Sequence, residues 1–171
     1  MEAEEFTNKL SKLKDVGIAL SAHTLHGWQE QYNRMMRFYK RTIDATDDID
    51  RLDFCFAFFQ NCFHLKDWIP VMEQINKSDW NKKWEKFISK NTEMKICRDI
   101  CNGTKHLKLD KPSIDKHFAL FREYEPYHKL LGERPNEWKI YANGQKHSLS
   151  DLMKTCIKSW DDFIANELPA N

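Results

Sequence analysis

The chain has 171 residues, 41% hydrophobic and 31% charged, which suits one domain with its own core and excludes a stapled mini-protein. Five glycines and five prolines leave little material for a loop-rich chain or a many-turned β-sandwich, so helices are expected to dominate. The charges nearly cancel, with 27 Lys and Arg against 26 Asp and Glu, which excludes a wholesale polyanion-binding surface and confines any nucleic-acid contact to a local patch.

Residues 1–15 alternate acids and lysines without an apolar run of signal-peptide length, and no later stretch approaches a membrane span. The expectation is a soluble, cytoplasmic protein with no membrane partner. Cys55, Cys62, Cys97, Cys101 and Cys156 are odd in number and lack the spacing of a secreted disulfide module, so reduced thiols are expected.

In chain order, Phe6, Leu10 and Leu13 recur at helical spacing and predict a short lead helix over residues 2–14. A second helix is predicted over 22–46, with Trp28, Tyr32, Met35 or Met36 and Tyr39 on one side and Arg34, Arg37 and Arg41 on another. Asp47 and Asp48 offer capping oxygens for a third helix over 48–68. That helix holds the most apolar stretch, Phe54 to Phe59, and being apolar almost all round it belongs in the middle of a bundle. Pro70 fits a stop just beyond it, and Ser78 can cap a shorter helix through residue 90. A fifth helix begins near Thr92 and meets Asn102-Gly103, where Gly103 is a natural end. After Pro112 the texture changes: residues 117–124 alternate loosely, and 137–148 read as a hairpin around Asn143-Gly144. Ser148 with Asp151 three residues on starts a last helix carrying Leu149, Leu152, Cys156, Trp160 and Phe163. The fold class is therefore mainly α, a single domain over 1–171. It is read as a bundle of about five or six helices with a β-containing elaboration at 112–148, holding a small β-hairpin, and a C-terminal helix at 149–167.

The densest polar cluster is Arg98-Asp99-Ile100-Cys101-Asn102-Gly103-Thr104-Lys105-His106, at a helix end. Arg98 and Asn102 lie one turn apart, with Lys105 and His106 following, and the group offers cations for a phosphate and an imidazole for proton transfer. A helix C-terminus finished by Asn-Gly, with Lys and His complementing the macrodipole, is the plainer account of the same residues. A second polar patch, Asn61 to Trp68, brings His64 to where the central helix leaves the core, either to share a site with His106 or to serve as a hydrogen-bonded structural histidine. Arg34, Arg37 and Arg41, interleaved with Phe38 and Tyr39, form a basic face suited to an RNA backbone, or simply a solvated one. A mixed site from Cys62, His64, Cys97 and Cys101 can be drawn, but no CxxC pair or HExxH helix appears and small cysteines pack well among phenylalanines. No metal is predicted. There is also no glycine-rich nucleotide loop and no GxSxG, so no cofactor is predicted.

A Phe-rich central helix running into His64-Leu65-Lys66-Asp67-Trp68, followed by a helix ending in Asn102-Gly103-Thr104-Lys105-His106, resembles the HEPN-like helical proteins of bacterial toxin and antiviral systems over residues 22–107. The resemblance implies a helical, often dimeric protein and a metal-independent ribonuclease whose motif is an Arg, a following Asn or other polar residue, and a His. Asn102 and His106 match; the arginine position is Cys101, and Arg98 stands one turn early. The resemblance thus implies His106 as acid or base, Asn102 as its orienting partner, and Arg98 or Lys105 on the phosphate, with His64 and Asp99 in support. RNA, a second copy of the chain and an antitoxin are the implied partners. The rival reading is a non-catalytic interaction or ligand-binding module.

Overall fold

The computed structural model describes residues 27–105, 112–114, 119–124 and 136–168. The expected lead helix, the first residues of the second helix, and His106 lie outside them.

Helix α1 (Trp28–Asp44) is amphipathic and buries Gln31, Met35 and Thr42. It lies antiparallel on α2 (Asp48–Met72): the Trp28 Nε1–H donates to Glu73 Oε1 at 2.6 Å, and the Gln31 amide donates to Asn61 O at 3.0 Å and to Asn61 Oδ1 at 3.1 Å. Asp47 caps α2, its side chain accepting from the backbone N–H groups of Ile49 and Asp50. As its all-round apolarity predicts, α2 is the central element and buries Cys55, Phe58, Phe59, Cys62, Phe63, Leu65 and Ile69.

Pro70 does not end this helix; α2 continues through it to Met72. Proline has no N–H to give the carbonyl four residues back, which normally breaks a helix. Here the Lys66 carbonyl instead accepts the indole N–H of Trp80 at 2.7 Å, so a side chain of the next helix replaces the missing backbone donor. That next helix, α3 (Lys77–Lys90), is capped by Asn76 rather than Ser78, the Asn76 side chain accepting from the N–H of Ser78 and of Asp79. It buries Trp80, Trp84 and Ile88.

Helix α4 (Thr92–Lys105) buries Met94, Ile96, Cys97, Asp99, Ile100 and Cys101. It runs past Gly103, the expected end, for two further residues. Gly103 therefore serves as an ordinary helical residue, with its space for a side chain left open.

The predicted hairpin is part of a three-stranded antiparallel sheet, β1 (Ala119–Tyr124), β2 (Asn136–Ala142) and β3 (Gln145–Ser148), in the order β1-β2-β3. The β2–β3 turn is Asn143-Gly144, both at positive φ (55° and 70°), the geometry that pair favours in a tight hairpin. The sheet is tied to the start of α2: Arg122 pairs with the Asp48 carboxylate, and the Trp138 indole N–H donates to Asp48 O at 3.2 Å. Ser148 then caps α5 (Leu149–Glu167), accepting from the Asp151 N–H as the sequence predicts. Helix α5 returns to the bundle and closes an aromatic cluster in which Trp160 stacks on Trp84 at 5.5 Å and Phe163 meets Phe87 at 4.5 Å. Among the described residues, no helix is long and apolar enough to cross a membrane.

Candidate functional site at the junction of α2 and α4

The polar residues of α2 face the C-terminal turns of α4 because the two helices pack through their apolar sides. Gln60 Nε2 donates to Thr104 Oγ1 at 3.0 Å, and Thr104 donates to its own helix at Cys101 O, 2.9 Å away. These bonds hold the last turn of α4 against α2. One turn along α2, His64 is exposed and its Nε2 lies 3.8 Å from the Cys101 sulfur. The structure therefore brings His64 to Cys101, the residue directly before Asn102.

Partial desolvation lowers the protonation of His64 below the ordinary histidine value; Asp67 opposes this, while the charges of Lys105 and Lys66 add to it. An imidazole whose protonation is disfavoured in this way is available as a base near neutral pH. Lys105 is exposed at the helix end, and Asn102 is half-buried one residue past Cys101. Lys66 pairs with Asp67 at 2.6 Å and sits 5.0 Å from the Phe63 ring centre, which fixes its position on the rim.

Arg98 and Asp99 are used elsewhere. Arg98 Nε donates to Ser113 Oγ at 2.5 Å, and the Ser113 N–H donates to both Asp99 carboxylate oxygens at 2.8 and 2.7 Å. The Ser113 hydroxyl donates to Asp99 as well. Asp99 is fully buried, and burial pushes its carboxyl above the usual range even though the Ser113 bonds and the Arg98 charge pull it down. A buried carboxylate needs such donors, and this one holds the chain where it returns after the segment following α4. Arg98 is thus an anchor for Ser113, and Asp99 is its buried acceptor.

On α1, Arg37 pairs with Glu30 at 2.6 Å and the Arg41 guanidinium lies 5.3 Å from the Phe38 ring centre, both side chains being exposed. Arg34 is half-buried on the same helix. A basic face with an aromatic partner exists there, with one of its cations already neutralised.

Gln60 and Ser113 carry no chemical signature in the sequence and acquire their roles through contacts with Thr104 and with Arg98 and Asp99, distant along the chain. The sequence reading grouped the cysteines differently. Cys62, Cys97 and Cys156, all buried, place their sulfurs within 4.8 Å of one another, whereas Cys101 turns to His64. The signal for Cys156 was present in the four-residue spacing Leu152, Cys156, Trp160, which puts it on the buried face of α5.

No family model matches the chain, and no curated protein and no solved structure matches it.

Proposed function

We propose that the chain is a metal-independent endoribonuclease of the HEPN type, acting at the junction of α2 and α4. The observation that carries this reading is the His64 imidazole held 3.8 Å from Cys101 at the end of α4, partly desolvated and in the field of Lys105 and Lys66. RNA supplies its own nucleophile, the ribose 2′-hydroxyl. His64 takes that proton as the oxygen attacks phosphorus, the 5′-oxygen leaves with a proton from a second acid, and a cyclic phosphate remains. His106 is that acid by the resemblance, Asn102 orients it, and Lys105 with Lys66 meets the charge developing on the phosphate. A second copy of the chain completing the cleft, and a role as a toxin or phage-defence effector, follow from the same resemblance. RNA reaches the site along the α1 arginines, Arg34, Arg37 and Arg41.

The test is cleavage of total RNA and tRNA in EDTA by the purified chain, with His64→Ala, His106→Ala, Lys105→Ala and Arg98→Ala variants checked for unchanged folding. Loss of cleavage in both histidine variants, with unfolding midpoints unmoved, supports the reading. A folded wild type that cleaves nothing overturns it.

One observation favours a non-catalytic interaction module instead. The Arg98–Ser113–Asp99 clamp commits the only arginine near the motif to a structural bond. On that reading the histidine variants change stability or partner binding, and no RNA is cut.

A further inference from the structure

Helices α2, α4 and α5 each contribute one cysteine to a single point in the core. Cys62, Cys97 and Cys156 are all fully buried, and their sulfurs lie within 4.8 Å of one another. Ordinary packing explains a buried cysteine but does not require three helices to aim theirs at one another. Sulfur bonds of about 2.3 Å to a shared centre place three sulfurs roughly 3.5–4 Å apart, from a pyramidal to a planar centre, so a shift of about 1 Å closes the group around an atom.

The surroundings decide which atom. The Cys97 thiol donates to the Phe59 carbonyl at 3.5 Å and the Cys156 thiol to the Glu93 carbonyl at 3.7 Å, while the Trp160 indole N–H donates to Cys62 O at 3.0 Å. No cationic side chain is buried among the described residues. Three thiolates around monovalent copper carry a net charge of −2, and around zinc −1, either of which is costly in such a core. Zinc also prefers a fourth ligand in a closed site, and no fourth cysteine, histidine or carboxylate joins this group among the described residues. Three thiolates around a trivalent centre are neutral.

We infer that Cys62, Cys97 and Cys156 form a binding site for a trivalent thiophilic centre of the arsenite type, a site separate from the α2–α4 cleft. The balance is As(OH)3 plus three thiols giving the tris-thiolate and three waters. Three As–O and three S–H bonds break, three As–S and three O–H bonds form, and no electron is transferred. The incoming species is uncharged, which suits passage through an apolar core.

The experiment titrates the reduced full-length chain with sodium arsenite, following the near-ultraviolet arsenic–sulfur absorption and, by mass spectrometry, the adduct stoichiometry. One arsenic per chain is expected. Cys97→Ala and Cys156→Ala, with native circular dichroism, are expected to lower affinity beyond the about 10- to 100-fold that loss of an outer partner costs a metal site, while Cys101→Ala leaves it unchanged. X-ray absorption on the loaded wild type, which needs no variant to fold, is expected to show three sulfurs and nothing else. Any of three results overturns the inference: no adduct on the folded wild type, a two-sulfur or nitrogen-containing shell, or copper(I) or zinc displacing arsenic in competition. Loss of ribonuclease activity in the histidine variants bears on the cleft alone, so the two proposals fail separately.

Discussion

His64 shows how one side chain reports on its surroundings. Its protonation lies below the ordinary value because folding partly desolvates it and sets it near Lys105 and Lys66. A histidine whose folded value is depressed favours the folded state at high pH, and that contribution is lost as pH falls through the unfolded value, about 6.5, toward the folded one. Stability should therefore decline as the pH is lowered below about 6.5, and His64→Gln should flatten that part of the profile. Urea unfolding midpoints at a series of pH values check it. If the cleft cleaves RNA, the acid limb of the rate profile should move with the same group. Cys101 is a different kind of residue-scale fact: in the sequence it is one member of a polar helix end, and only the fold shows that an imidazole faces it.

At the scale of elements, the sequence was most informative where a signal was local. The Asp47 and Ser148 caps, the Asn143-Gly144 turn, the all-round apolarity of α2 and the apolar periodicity of α5 depend on neighbours in the chain, and the structure contains each. Pro70 and Gly103 were misread for one reason. Each is a helix breaker by intrinsic preference, and each sits in a helix held by another element, Trp80 at Pro70 and Gln60 beside Gly103. The first case gives a test. Trp80→Phe leaves the Lys66 carbonyl without its donor and should cost about 1–3 kcal/mol. In a Pro70→Ala background the backbone N–H is restored, and the same substitution should cost distinctly less. A double-mutant cycle by chemical denaturation measures the difference. The candidate site follows the same division: Asn102, Lys105 and His64 were chosen by residue type, whereas Ser113, which occupies Arg98 and Asp99, is separated from them by a segment whose return no local pattern encodes.

For the whole molecule, the sheet shares the core of the bundle through Ile140 and Ala142, and Asp48 adds a polar tie between the two. That residue accepts Arg122 through its carboxylate and Trp138 through its carbonyl, while Arg51 pairs with the same carboxylate at 2.9 Å. Asp48→Ala should cost about 1 kcal/mol, the upper end for a partly exposed pair, and the difference should shrink in high salt. Thermal melts at low and high ionic strength measure both. Hydrogen exchange should quicken in β1 and β2 and stay slow in the core of α2, where Phe58, Phe59 and Cys62 are fully buried.

The open space around Gly103 has a consequence for motion. Glycine inside a helix weakens it by roughly 0.5–1 kcal/mol relative to alanine, and here nothing within 4 Å would obstruct a methyl group. The last turn of α4, which carries Asn102 and Lys105, is therefore less strongly wound than an alanine there would make it, and the Gln60–Thr104 bond helps keep it wound. Gly103→Ala should tip that balance, raising the melting temperature while slowing amide exchange in this turn alone. If the cleft must unwind its rim to admit a strand of RNA, the stabilised chain should also be the slower enzyme.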